Sequence, residues 1–190
     1  VKILFRTAAL AALAAVTLTG CDSPSAKADA RPAARVGAAG SGGELPVTFD
    51  LATAWKSKKV VVEQSDPLAG LAKRGLFTMA CEIDAKPAGN LGFLRVWTGG
   101  PAELKPSLTA FLGADAQQPA FTEIQVGGRP AIEVDYQVKS ELDDSLDPEK
   151  AFVVDTGKGL VAVTLDSLDA DEHQEMLPAY ELARTTLEVL

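Results

Sequence analysis

The chain has 190 residues, 18 basic and 26 acidic, with a formal net charge of −8 at neutral pH. Hydrophobic residues make up 47%, enough for a core, while the acidic balance argues against a phosphate backbone as partner. One histidine and two cysteines leave too few ligands for a zinc site of the usual kind.

The first stretch reads as a targeting segment. Lys2 and Arg6 give a short basic start, and Thr7 to Leu18 is uncharged and built from Ala, Leu, Val and Thr. A stable transmembrane helix needs about 20 apolar residues, so this stretch is too short to be one. It ends in Leu18-Thr19-Gly20-Cys21, which resembles the lipobox of bacterial lipoproteins. That resemblance implies a signal peptide over residues 1–20, cut before Cys21. It also implies a diacylglyceryl group on the Cys21 sulfur and further acylation of the new amino group. A buried CH₂ is worth about 0.8 kcal/mol, so one acyl chain holds marginally and two hold stably. Val1 reads as a GTG start codon translated literally. With the Ala-rich, Lys-poor usage it points to a high-GC bacterium such as an actinomycete. Asp22 resembles the inner-membrane retention residue of enterobacterial lipoproteins, and a Gram-positive cell has no outer membrane. Both routes lead to the outer leaflet of the cytoplasmic membrane.

Residues 21–43 read as the lipidated cysteine and a flexible linker. The segment is Ser, Pro, Ala, Gly, Asp, Lys and Arg with Val36 as its one larger aliphatic, too little apolar surface to offset ordering. Such a coil spans roughly 25 Å. Lys27, Arg31 and Arg35 are dispersed and read as solubility and spacing rather than lipid contact. Residues 44–190 are the size of one domain. They hold 13 basic and 24 acidic residues, which repels anionic lipid and leaves the linker to face the membrane.

Within the domain, Val47 to Leu51 and Lys59 to Val62 read as short strands, and Leu68 to Arg74 as a helix opened by Pro67 and stopped by Gly75. Leu76 to Asp84 and Leu91 to Trp97 are strands joined by a turn-rich link, and Ala102 to Leu112 is helical. Phe121 to Val126, a Gly127-Gly128 turn and Ala131 to Val138 form a hairpin. A solvated acidic loop is expected over Ser140 to Lys150, carrying Glu141, Asp143, Asp144, Asp147 and Glu149. Ala151 to Asp155 and Leu160 to Leu165 form a second hairpin. The last element is an amphipathic helix, with Asp169 as N-cap and Glu172 completing a capping box. Pro178 should kink or divide it. Hairpin connections make the sheet mostly antiparallel, and flanking helices make the domain α+β in α/β/α layers.

Val126-Gly127-Gly128-Arg129-Pro130-Ala131, the strand ending at Tyr136-Gln137-Val138, the glycine-turned hairpin and the acidic closing helix resemble the PsbP-like fold. The likeness is to actinobacterial LpqN-type lipoproteins in particular. Phe49-Asp50-Leu51 followed by Trp55 fits the same pattern. The resemblance covers Glu44 to Leu190 and implies a sheet between helices and an accessory or binding role, with no catalytic residues to carry over.

The residues themselves offer little chemistry. His173 is beside Asp171, Glu172 and Glu175 and reads as exposed; there is no Gly-x-Ser-x-Gly elbow. Cys81 reads as a buried hydrophobe among acidic neighbours. The acidic loop lacks EF-hand spacing, which weighs against calcium, and neither Gly99-Gly100 nor Gly127-Gly128 is a phosphate loop. No catalytic residue, cofactor or metal is expected. The expected function is a membrane-anchored, extracytoplasmic, non-catalytic binding or accessory module. Its partners would be the membrane, through lipid on Cys21, and a cell-envelope protein or lipid. That reading predicts an exposed apolar or aromatic patch around Trp97 or Trp55. The alternatives are a carrier for a hydrophobic ligand, which needs a large apolar cavity, and a hydrolase, which needs carboxylates gathered near His173.

Overall fold

The computed structural model describes residues 32–63, 69–140 and 145–190, apart from the side chains of Pro32 and Ala33. Three short strands form a small sheet: β1 (Pro32–Val36), β2 (Val47–Ala52) and β11 (Glu188–Val189), in the order β1-β2-β11. The rest of the strands form an eight-stranded sheet: β3 (Lys56–Lys59), β4 (Lys73–Arg74), β5 (Phe77–Asp84), β6 (Phe93–Gly99), β7 (Gln117–Val126), β8 (Arg129–Lys139), β9 (Leu146–Asp155) and β10 (Leu160–Asp166). Its order is β3-β5-β6-β10-β9-β8-β7, with β4 also paired to β5. Every strand pairing among these elements is antiparallel. Two helices, α1 (Leu104–Leu112) and α2 (Ala170–Thr186), complete the fold.

The centre of the large sheet is β10. Its first six residues are all buried, because layers cover both faces. One face carries Ile83, Leu94, Val96, Phe152, Val154, Val161, Val163 and Leu165. It packs with α2 (Met176, Ala179, Tyr180 and Ala183) and with the small sheet (Val36, Val47 and Phe49). The opposite face carries Trp97, Ile132, Val134, Ala151, Val153 and Ala162, and packs under Leu108 and Phe111 of α1. A nine-residue helix is only about 14 Å long and covers part of that face. The part left open is the candidate site.

Several boundaries differ from expectation. The linker does not extend to Gly43: β1 pairs with β2 from Pro32, and Val36 is fully buried. One aliphatic residue suffices because β1 gains its hydrogen bonds from β2, and Arg35 pairs with Asp50 and Glu188. The second strand lies at Lys56–Lys59, earlier than the valine run. Its lysines suit a sheet edge, where charge discourages pairing with another chain. A 3-10 turn at Ala69–Ala72 and β4 stand where a helix was expected; Pro67 and Leu68 lie outside the described residues. Gly75 does end the segment, with φ +57°.

Gly127 and Gly128 have φ of +58° and +70°, the paired left-handed conformation of a two-residue hairpin turn, and connect Val126 to its register partner Arg129. Pro178 does not divide α2. Proline costs one backbone bond and a steric clash, but Met176, Ala179, Tyr180 and Ala183 are held on the sheet on both sides of it. Asp169 Oδ1 accepts from Glu172 N at 2.8 Å, as expected of the cap. The Glu172 carboxylate turns outward from its own helix. It accepts from the backbone N–H of Leu168 (2.6 Å), Gly92 (3.1 Å) and Leu91, tying α2 to the β5–β6 connection.

Candidate functional site

The expected acidic loop is half strand. Glu141, Asp143 and Asp144 lie outside the described residues, but Asp147 and Glu149 belong to β9 and are buried, each 8% exposed. They are two apart, so both point to one face of the sheet. That face is the one beyond the end of α1. In the register, Glu149 stands directly opposite Tyr136 of β8. On its other flank is β10, whose last residue is Asp166.

These residues floor an open cleft of about 1340 Å³. Its walls are the β4 end (Arg74, Gly75), the exit of α1 (Ala110 to Asp115), the ends of β8 and β9, and Ser167-Leu168. The Arg74 guanidinium lies over the rings of Trp97 and Phe111, 5.2 and 5.3 Å from their centroids. Asp166 accepts from Arg95 Nη1 and from Thr164 Oγ1, each at 2.8 Å, and Arg95 Nε donates to Glu82 at 3.0 Å. Burial would depress the Arg95 pKa, but Asp166 and Glu82 outweigh it and raise it. The Asp166 charge is therefore balanced within the fold.

Glu149 is not balanced in this way. Its Oε2 is buried with no hydrogen-bond partner among the described residues. Burial, then the nearby Asp166 charge, push its pKa up to about 9, against the pull of Arg74, Arg95 and the Ser167 backbone N–H. Both causes favour the neutral carboxyl. Burial, then Glu149 and Asp166, also raise the Tyr136 phenol. Because folding raises the Glu149 pKa, the folded state holds a proton that the unfolded chain releases near the ordinary carboxylate value. That contribution to stability is complete below about 4.3 and is lost as the pH climbs toward about 9. Glu149→Gln removes this titration. Its stability relative to the parent should rise between pH 5 and pH 8.5 by at least about 1 kcal/mol, roughly 2–4 °C in Tm for a domain of this size. Thermal unfolding of both proteins at the two pH values checks this. An unchanged difference would show that Glu149 is ionised in the fold.

The other residues singled out from sequence lie elsewhere. Trp97 and Trp55 are 1% and 3% exposed, so neither forms a surface aromatic patch. Both are claimed by packing: Trp97 meets Phe111 edge-on at 5.2 Å and donates to Thr164 Oγ1 at 3.4 Å. Cys81 is fully buried, and burial pushes its thiol up to about 11, as expected of an inert cysteine. His173 is 4% exposed rather than on the surface. The first turn of α2 presses it against the start of β9 and the end of β10, with Nδ1 3.2 Å from Ser167 Oγ. Burial, then the Lys150 charge, lower its pKa. Cys21, Lys27 and Arg31 lie outside the described residues. Among the described residues no cluster of His, Cys, Asp or Glu is arranged to hold a metal ion.

The profile of a family described as "Uncharacterised lipoprotein" matches residues 15–187, nearly the whole chain. The chain belongs to that family. It is a lipoprotein by membership, whose matched region begins within the expected signal segment. Its fold is similar to the solution structure of cyanobacterial PsbP (CyanoP) from Synechocystis sp. PCC 6803. The TM-score is 0.53 at 13% identity, over 83% of this chain and 92% of that one. At that identity the likeness shows the fold, and the lipoprotein is PsbP-like and α+β. No curated protein matches the chain.

Proposed function

We propose that this lipoprotein is anchored by lipid on Cys21 to the extracytoplasmic face of the cell membrane. There it acts as a non-catalytic binding or accessory module, of the actinobacterial LpqN type, through the cleft at the open end of α1. The observation that carries the reading is Glu149, with one buried carboxyl oxygen that has no hydrogen-bond partner among the described residues, at the floor of an open cleft in a lipoprotein family member. A polar atom desolvated without a partner costs about 1–3 kcal/mol, and function is a reason to keep it. A lipid carrier is less well supported, because the apolar surface is spent on two filled cores and the cleft floor is polar.

The proposal has two tests. Cys21→Ser should leave the domain folded and move it from the membrane fraction to the soluble fraction; a variant that stays on the membrane overturns the anchor. Protein released from its own membranes should carry a bound species in native mass spectrometry, and Ala114→Trp, which fills the cleft wall, should lose it. Ligand-free protein overturns the cleft reading.

The hydrolase reading has one observation in its favour, the contact between Ser167, which lines the cleft, and His173. The geometry stops short of catalysis. His173 itself is not part of the cleft wall, its second partner is the Pro148 carbonyl rather than a carboxylate, and Ser167 Oγ also reaches that carbonyl at 3.4 Å. Labelling of Ser167 by a fluorophosphonate probe would revive it.

A further inference from the structure

We propose that the cleft takes the cationic end of an organic molecule, a primary ammonium or a guanidinium, with Glu149 as its buried counter-ion. The inference rests on the cleft being the binding site and goes on to name the chemistry of what enters it.

The geometry selects a cation. Asp115, Asp147, Glu149 and Asp166 surround the cleft, against Arg74 and Lys139 in its walls and Arg95 behind Asp166. With Glu149 ionised, that is four negative charges against three positive. Asp166 is already matched by Arg95, and Arg74 is held over two aromatic rings and by the Tyr136 oxygen, acting on Glu149 through its charge alone. What remains on the floor is Glu149, with one bare oxygen, and Asp147, which accepts from the Ser145 hydroxyl at 3.4 Å. Two carboxyl acceptors on one strand face suit a group that brings several N–H donors and a positive charge. An anionic ligand would instead meet the Asp147 carboxylate and find no cation on the floor.

Burial and the Asp166 charge favour a proton on Glu149. The charged and titratable side chains facing it are Asp147 on its own strand, Tyr136 and Lys139 on β8, Asp166 on β10, Arg95 on β6, Arg74 on β4 and Asp115 beyond α1. When a cation enters, Glu149 gives its proton to the buffer and the carboxylate pairs with the ligand. One positive charge enters and one leaves as a proton. A cleft of this size exceeds what a simple amine fills, so the cationic group is the recognised end of a larger molecule.

Calorimetric titration with agmatine and with spermidine at pH 7.5, in two buffers of different ionisation enthalpy, tests this. About one proton should be released per ligand bound. Glu149→Gln should abolish the release and weaken binding at least tenfold. Asp147→Asn should weaken it several-fold while leaving the release intact, and circular dichroism should show both variants folded. Amine binding without proton release, binding indifferent to Glu149→Gln, or preferential binding of glutarate would overturn the inference. A natural species that Ala114→Trp loses, but that neither amine displaces, would overturn it too while leaving the cleft as the binding site. Absence of any bound species would remove both.

Discussion

Trp97→Ala is expected to cost about 3–5 kcal/mol of unfolding free energy, the largest effect of any single truncation in this domain. The indole is 1% exposed on the sheet face under α1, where its neighbour across the ladder is the small Ala162. Phe111 meets it edge-on, Phe77 meets Phe111 in turn at 5.4 Å, and Arg74 caps the group. Removing it leaves a void that a helix of nine residues is poorly placed to close. Arg74 then loses its aromatic platform at the cleft wall. Denaturant unfolding gives the magnitude. A loss under 1 kcal/mol would mean that α1 is not packed on the sheet as described.

The second large effect is at Glu172. Its carboxylate accepts from three backbone N–H groups on two separate segments, Leu168 ahead of the helix and Leu91 and Gly92 in the β5–β6 connection. Hydrogen bonds to a charged group contribute about 1.5–3 kcal/mol each, less at Leu91 and Leu168, where the bonds are exposed and water can replace them. Glu172→Ala should cost about 3–4 kcal/mol in unfolding free energy. Glu172→Gln, which keeps one acceptor oxygen, should cost less. The connection is tightly seated: a Cβ on Gly92 would lie 2.4 Å from the Asp166 carbonyl oxygen. Hydrogen exchange at the Leu91 and Gly92 amides should therefore rise sharply in the alanine variant while β10 stays protected. Loss of protection throughout the sheet would instead make Glu172 part of the global core.

The sequence carried the layers and most of the strands, because alternation and glycine turns are local. Gly127-Gly128 announces its hairpin without help from the rest of the chain. It did not carry the site. Glu149 sits in a run with five acidic residues, and charge density alone says solvent. The contrary signal was present in the period-two continuation of Asp147 and Glu149 into Ala151 and Val153, the inward residues of β9. Reading that continuation would have moved two carboxylates from the surface to a strand face. That Tyr136 stands opposite, and that α1 stops short of both, depends on strand register and helix placement across distant segments. His173 went astray for a similar reason. Its acidic neighbours on α2 face outward, while β9 and β10, which bury it, come from elsewhere in the chain.

The pairing of β1 has a mechanical meaning. It is the first strand among the described residues, at the edge of the small sheet, and makes no ladder with the eight-stranded one, which it touches through the core by Val36. A pull transmitted from the N-terminal side loads β1 first and peels it from β2 pair by pair. The cleft lies on the far face of the large sheet. Five released residues lengthen the connection by about 17 Å. The strand thus behaves as stored slack, and tension would change how far the domain reaches before it changes whether the domain is folded.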